Sequence, residues 1–128
     1  FNLTEPDALR YYLMVVTAFG QDGNFTLDDF KTRVNADLAN NLGNLLNRAV
    51  SMTQKYFNGQ VPAFDQLLLD DPAPWVAQVA KAYDQLAIQQ AVDITLQRVD
   101  AANKLINQQE PWNLFKNGQM AELANVMA

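Results

Sequence analysis

VNADLANNLGNLLNR, residues 34–48, is the segment around which we expect the rest of this chain to be arranged. Apolar residues recur through it at steps of three and four, which predicts an amphipathic helix built on Leu38, Leu42, Leu45, Leu46, Ala49 and Met52. The same stretch contains five asparagines and one glycine, all of them poor helix formers. We therefore expect either a bend over Val34–Asn44 or amide side chains that are there to contact something.

The composition is that of a globular protein. Of the 128 residues, 49% are hydrophobic and 18% are charged, which predicts a single domain covering residues 1–128. The chain contains neither cysteine nor histidine, which excludes disulfides, thiolate and imidazole metal ligands, and histidine-based catalytic triads within it. No apolar run approaches the roughly 18–20 residues that a membrane span requires, so we expect no membrane partner.

The net charge of −5 is unevenly distributed along the chain. Between Phe30 and Gln60, four basic side chains stand against the single acidic Asp37, which makes this segment +3 and leaves −8 for the rest. The four are Lys31, Arg33, Arg48 and Lys55. The overall charge argues against a protein that binds nucleic acid over its whole surface. The local positive excess, however, coincides with the asparagine-rich helix.

The remaining patterns are all helical, so the predicted class is all-α, a helix bundle. Capping residues and Asn-Gly or Pro signals mark the ends of the helices. The predicted helices run from a Thr4 cap to about Phe19, from a Thr26 cap to about Phe57, from an Asp71 cap to about Leu86, over Ile88–Gln109, over a short turn that begins at Pro111, and over Met120–Met127. Residues 63–70 are predicted to be a connector, and we expect the last helix to be truncated.

The only catalytic candidates left are carboxylates, which occur in two adjacent pairs. Asp28–Asp29 lies where a helix is predicted to begin, and Asp70–Asp71 directly precedes a proline. Both positions favour helix capping and a favourable interaction with the helix dipole. We interpret both pairs as structural.

A polar flank runs beside the apolar stripe of the central helix. On a wheel of about 100° per residue it contains Asp37, Asn41, Asn44, Arg48 and Lys55. Asn44 and Arg48 are four residues apart, so their side chains project together. An amide beside a guanidinium can hydrogen-bond the edge of a nucleobase. The plain alternative is a solvated helix face.

Two further polar or aromatic positions are open to more than one interpretation. Trp112 follows Pro111 at a predicted helix end, where it could be a stacking platform for an unpaired base or an ordinary core residue. Trp75 alternates with apolar residues and is predicted to be in the core. Asn103 falls beside the main apolar stripe of its helix, where an amide needs a hydrogen-bond partner.

Several motifs together resemble one known family. They are DALRYYL at 7–13, DGNFTLDDF at 22–30, RVNADLANNLGNLLNR at 33–48, KYFNGQVP at 55–62 and ANKLINQQEPWNLFK at 102–116. In this order and spacing, over nearly the whole chain, they look like the helical anticodon-binding domain of methionyl-tRNA synthetase. Asp7–Arg10 alone would indicate only a wider group of related synthetases.

The resemblance implies a tRNA-binding helix bundle that recognises the CAU anticodon of methionine tRNA. The position matching Trp112 stacks on the first anticodon base in that family, and those matching Asn44 and Arg48 hydrogen-bond anticodon bases. Asn103 and Asn107 lie near that site, although Asn107 departs from members with an acidic residue there. Phosphate contacts from Lys31, Arg33 and Lys55 would add an electrostatic attraction.

The implied partners are methionine tRNA and a catalytic domain of the same polypeptide, with residues 1–20 near the junction. The catalytic domain's HIGH-type signature requires histidine, and its KMSKS-type loop requires closely spaced lysines, so this chain should not aminoacylate tRNA by itself. ATP and Mg, with Zn as a further candidate, belong to that absent domain. The family is cytoplasmic, and the truncated helix could lead to self-association.

Two other functions compete with this one. A helical protein-interaction module without RNA binding would show an exposed apolar groove instead of a polar flank around Asn44, Arg48 and Trp112. The anticodon domain of another related synthetase is disfavoured by the Glu110-Pro111-Trp112 segment.

Overall fold

The computed structural model describes residues 6–18 and 20–127, and every regular element among them is helical. The all-α prediction is therefore confirmed. The helices are α1 (Pro6–Val16), α2 (Leu27–Val34), a π-helical segment (Asn35–Gly43), α3 (Asn44–Phe57), α4 (Pro72–Asp84), α5 (Ile88–Gln109), α6 (Pro111–Lys116) and α7 (Met120–Met127).

The predicted helix signals mostly act where the sequence places them. The Thr26 hydroxyl accepts from the Asp29 N–H at 3.2 Å, and the Asp71 carboxylate accepts from the Ala73 N–H at 2.9 Å. Asn58 takes a left-handed conformation with φ of 54° and ends α3, as predicted. The Thr4 cap lies outside the described residues.

Two predicted helix ends are wrong by a few residues. The first helix ends at Val16 instead of near Phe19, which itself lies outside the described residues. The helix predicted to reach Leu86 ends at Asp84, because Leu86 adopts a φ of 57°. The N–H of Leu86 bonds Tyr83 O and that of Ala87 bonds Ala82 O, which is a Schellman ending. This ending had no signal in the sequence, because its left-handed position is occupied by Leu86 instead of the usual glycine.

The asparagine-rich stretch does not interrupt its helix. The backbone stays right-handed from α2 into α3, with φ near −60° at Val34 and −63° at Gly43. The weak helix formers are accommodated in π-helical turns, whose hydrogen bonds reach five residues back. Such segments are frequent at functional sites.

The best-buried part of the core lies between α1 and α2. Tyr12 is fully buried among Ala8, Phe30 and Val34, and its ring meets that of Phe30 edge-to-face at 5.4 Å. Its hydroxyl donates to the Asp29 carboxylate at 2.8 Å. Next to it, the Tyr11 hydroxyl donates to Asp37 at 2.7 Å, which ties α1 to the π-helical segment.

α5 is the central helix of the bundle. It contacts α1, the π-helical segment, α3, α4 and α7. The Gln89 side chain donates to the backbone oxygen of Val15 on α1 at 2.8 Å, and the Trp75 indole N–H donates to the backbone oxygen of Ile94 at 3.2 Å. Trp75 is half-buried and faces α5. α5 thus forms one wall against which these five elements pack.

Part of the predicted apolar stripe is not buried. Leu42 and Leu46 are 45% and 63% exposed, so the expectation that they help to form the bundle core is wrong. Val50, which was not in the predicted stripe, lies one turn after Leu46 and is 59% exposed. Leu45 and Ala49, at the centre of the stripe, are half-buried. The three exposed residues lie along its far edge, which the described elements leave largely open.

No helix among the described residues combines the length and apolar character needed to cross a membrane.

Candidate functional site

Arg48 on α3 is held by two amides of α5. Its Nη2 donates to the Asn107 side-chain oxygen at 2.7 Å, and its Nη1 donates to the Asn103 side-chain oxygen at 3.4 Å. Arg48 and Asn103 are half-buried, whereas Asn107 is exposed. The first bond is short and the second is long, so Asn107 is the firmer of the two anchors. The structure thus brings together three of the predicted site residues.

The hydrogen bonds continue from Asn103 to the π-helical segment. The Asn103 Nδ2 donates to the Asn41 side-chain oxygen at 2.9 Å and approaches the Asn41 backbone oxygen at 3.4 Å. The Asn41 Nδ2 donates in turn to the Asp100 carboxylate at 2.7 Å. Asn103 therefore has the partner that its place beside the apolar stripe requires.

We call the five residues Asp100, Asn41, Asn103, Arg48 and Asn107 the amide network. Sequence reasoning placed Asn41 on the polar flank but did not select it, and it missed Asp100. The spacing of the three α5 members, at i, i+3 and i+7, puts them on one helix face and could have indicated Asp100. Its pairing across 59 residues with Asn41 has no signal in the sequence.

The pairs in the amide network show the direction of α5 relative to the π-helical segment and α3. Asn41 pairs with Asp100, and Arg48, seven residues later, pairs with Asn107. α5 therefore runs parallel to the π-helical segment and α3, and the start of α6 follows beyond the level of Arg48. A stack of the Tyr56 and Phe115 rings, with centroids 4.5 Å apart, holds α6 beside the C-terminal half of α3.

Trp112 is the second residue of α6. The left-handed Glu110, with φ of 45°, turns the chain after α5, and the buried Pro111 anchors the turn. The Trp112 side chain is 43% exposed. The interpretation of Trp112 as an ordinary core residue therefore does not fit the structure. Among the hydrogen bonds and ring contacts of the described residues, none joins Trp112 to the amide network.

Asn44 begins α3 one turn before Arg48 and is exposed. Its spacing of four residues places it on the same face as Arg48, as predicted from the sequence. Among the described residues its side chain takes part in none of the hydrogen bonds of the amide network.

The other basic residues are spread along the helix. Lys31, Arg33 and Lys55 are all exposed. Lys55 lies about 10 Å beyond Arg48 along the axis and Lys31 about 25 Å before it, at about 1.5 Å per residue. They are therefore separated along the axis, and Lys31 and Arg33, two residues apart, point to different faces of the helix, so the basic residues do not form one cluster.

Neither a metal site nor a catalytic carboxylate pair emerges near this surface. Within residues 6–18 and 20–127, no three His, Cys, Asp or Glu side chains lie close enough to hold a metal ion. Asp28 and Asp29 occupy the first turn of α2 and Asp71 caps α4, which fits the structural interpretation of both pairs.

A mainly apolar cavity of about 390 Å³ lies elsewhere, between α3, the connector, α5 and α7. Its lining includes Leu45, Ala49, Leu67, Leu105 and Val126. Neither Arg48 nor Trp112 borders it, so the cavity and the amide network are separate features.

The sequence of this chain is similar to those of known proteins. Residues 1–50 match the family described as tRNA synthetases class I (M). The methionine–tRNA ligase of Listeria monocytogenes is 44% identical over 94% of this chain, and methionine–tRNA ligase 1 of Bacillus anthracis is 44% identical over 95%. The chain spans about a fifth of the length of these relatives, 19% and 20% respectively.

Solved structures agree with the sequence comparison. The Mycobacterium tuberculosis methionyl-tRNA synthetase bound by methionyl-adenylate superposes with a TM-score of 0.82 and 33% identity, covering 94% of this chain and 26% of that one. The fold and the sequence therefore define a helical segment of the class I aminoacyl-tRNA synthetases. Within that class, the chain belongs to the methionyl-tRNA synthetase family.

Proposed function

We propose that this segment is the tRNA-binding part of a methionine–tRNA ligase and recognises the CAU anticodon of methionine tRNA. Aminoacylation, with its ATP and Mg, belongs in this proposal to a separate catalytic domain of the ligase. The observation that carries the proposal is the pairing of Arg48 with the Asn103 and Asn107 amides. The 43% exposure of Trp112, which leaves its ring accessible, supports it.

Arg48 is suited to reading a base edge because its geometry is fixed while donors remain available. A guanidinium has five N–H donors, of which the two amides occupy two. The remaining donors can reach acceptor atoms on a base, and Asn44 on the preceding turn can add both a donor and an acceptor. Holding the guanidinium in advance lowers the ordering cost of binding.

Trp112 is suited to stacking on an unpaired base. Recognition of single-stranded loops depends on bases that are splayed out and stacked on aromatic rings. Each such stack contributes about 1–3 kcal/mol and works for any base. In this proposal Trp112 supplies affinity, whereas Asn44 and Arg48 supply the choice of base.

The exposed basic residues support attraction of the RNA backbone. Lys31, Arg33 and Lys55 are exposed along one helix. Phosphate contacts release counterions and weaken as salt rises. These residues contribute affinity without sequence preference.

The test uses a full-length methionine–tRNA ligase that contains this segment, called the full-length ligase below. Arg48→Ala and Trp112→Ala should each raise the KM for methionine tRNA by about tenfold or more, as expected for the loss of one bidentate contact or one stack. The rate of ATP-dependent methionine activation should not change. Trp112→Phe is the matched control and should retain most of the affinity. If both alanine variants charge tRNA at wild-type efficiency, the proposal fails.

A helical protein-interaction module is the second candidate. The exposed stripe of Leu42, Leu46 and Val50 favours it, since such rows can mark protein contacts. Leu46→Glu distinguishes the two functions. It should leave the KM for methionine tRNA unchanged if the segment is an anticodon reader, and it should abolish partner binding if the stripe is a protein interface.

A further inference from the structure

We propose that Asn41, anchored by Asp100, is a positioning residue that sets the direction of the hydrogen bonds in the amide network and thereby holds Arg48 for base recognition. This inference rests on the proposed function. Neither Asn41 nor Asp100 was among the residues selected from the sequence.

Asp100 determines which way the hydrogen bonds of the amide network run from donor to acceptor. An ionised carboxylate can only accept hydrogen bonds, so Asn41 must present its amide NH2 to Asp100, as it does at 2.7 Å. The Asn41 side-chain oxygen then points the other way and accepts from the Asn103 Nδ2 at 2.9 Å.

The orientation of Asn41 also determines which atom of the Asn103 amide faces Arg48. Because the Asn103 NH2 donates to Asn41, the Asn103 side-chain oxygen faces α3. It can accept there from the Arg48 guanidinium, which has donors only. If Asn41 were flipped, Asn103 would have to turn its NH2 toward Arg48, and two sets of donors would meet. Only one direction satisfies every group from Asp100 to Arg48.

The location of Asn41 fits such a role. It lies in the π-helical segment, and its backbone oxygen also faces the Asn103 amide, at 3.4 Å. Asn41 and Asn103 are half-buried, which partly shields these bonds from water. The exposed Asn40 beside it offers a matched control in the same segment.

The experiment is a mutant cycle in the full-length ligase. Asn41→Ala should raise the KM for methionine tRNA by about 2–10-fold, the effect of losing one neutral hydrogen bond, with kcat and the Tm nearly unchanged. Asn40→Ala should have no effect. In the Arg48→Ala background, Asn41→Ala should add nothing further, because it acts through Arg48.

An exchange of the two partners tests the direction itself. Asp100→Asn alone should raise the KM, because a neutral amide no longer imposes one orientation. Combining Asp100→Asn with Asn41→Asp should return the KM to within about twofold of wild type, since the new amide donates to a carboxylate that still accepts from Asn103.

The outcomes separate this inference from the proposed function. If Arg48→Ala itself leaves the KM unchanged, the proposed function fails. If Arg48→Ala raises the KM but Asn41→Ala behaves like Asn40→Ala, the role of Asn41 is overturned and the proposed function stands. An equal effect of Asn41→Ala with and without Arg48, or failure of the exchange to restore the KM, also overturns the positioning role.

Discussion

Arg48 and Asn107, on different helices and 59 residues apart, are joined by a hydrogen bond of 2.7 Å from Nη2 to the amide oxygen. This bond holds the guanidinium through a different nitrogen from the one that donates to Asn103. It gives Asn107 a function that does not require direct contact with RNA. The amide oxygen, not the amide nitrogen, is the atom that matters.

The chemistry of that atom leads to a prediction at Asn107. Asn107→Ala should raise the KM for methionine tRNA by about 2–10-fold, because one anchor of Arg48 is lost. Asn107→Asp keeps an oxygen that accepts from Arg48, so it should remain close to wild type in the same assay. An aspartate variant as impaired as the alanine variant would show that the bond to Arg48 is not the reason.

The exposure of Trp112 can be measured by fluorescence. The chain contains two tryptophans, and Trp75→Phe leaves Trp112 as the only tryptophan within this segment. Since Trp112 is 43% exposed, acrylamide should quench this variant of the 128-residue chain efficiently, and methionine tRNA should reduce the quenching. Trp112→Phe, which retains the half-buried Trp75, should be quenched less. A more strongly quenched Trp75 would contradict the described placement.

Tyr12 should dominate the stability of the α1–α2 core. Tyr12→Ala removes a fully buried aromatic ring and should cost about 3–5 kcal/mol in the free energy of unfolding. Tyr12→Phe loses only the hydrogen bond to Asp29 and should cost about 1 kcal/mol. Urea unfolding of the 128-residue chain measures both. Equal losses in the two variants would contradict the packing of the ring.

The environments of Tyr11 and Tyr12 predict that the protein loses stability at alkaline pH. Burial and the hydrogen bond to Asp37 raise the pKa of Tyr11 well above its ordinary value of 10, and burial and the bond to Asp29 raise the pKa of Tyr12. The folded state thus holds the phenolic protons more tightly than the unfolded state. Their stabilisation is complete below about pH 10 and is lost as the pH rises toward the folded-state values.

Substitution of Tyr11 tests this linkage. Tyr11→Phe should lower the stability near pH 7 slightly and reduce the decline in the free energy of unfolding above about pH 10, measured by urea unfolding at stepped pH. Tyr83, which is exposed, provides the matched control as Tyr83→Phe. A decline that is unchanged in Tyr11→Phe would contradict the raised pKa.

Gly43 tests the π-helical geometry. In an ordinary helix interior, glycine to alanine stabilises by about 1 kcal/mol. Here a Cβ at Gly43 would lie 3.0 Å from the backbone oxygen of Leu38, which is closer than ordinary packing allows. Gly43→Ala should therefore be neutral or destabilising in thermal unfolding. A full gain of stability would indicate a regular α-helix in its place.

Much of this fold follows from local signals in the sequence. The bounds of α5 and α7 were predicted as they occur, because caps, prolines and Asn-Gly pairs act locally. The left-handed conformation of Leu86 and the exposure of Leu46 were not predicted, because each depends on how the rest of the chain packs. Helical spacing alone paired Asn44 with Arg48. For Trp112 it left base stacking and a core position both open, and only the family resemblance favoured stacking and gave Asn107 a place near the site.

The amide network marks the limit of sequence reasoning. Asn103 could be recognised as an amide in need of a partner, but helical periodicity gives no distance between residues on different helices. Its pairing with Asn41, and that of Asn41 with Asp100, depend on α5 lying parallel to the π-helical segment. The register between the two helices is a property of the packed bundle.

A comparison of two tRNAs tests whether Arg48 reads the anticodon. The full-length ligase and its Arg48→Ala variant are compared by kcat/KM on methionine tRNA and on the same tRNA with one anticodon base replaced. We expect the wild-type ligase to discriminate strongly against the altered tRNA and the Arg48→Ala variant to lose much of this discrimination, so that the effects of the two changes on kcat/KM are not additive. If Arg48→Ala lowers kcat/KM by the same factor on both tRNAs, Arg48 does not read the anticodon.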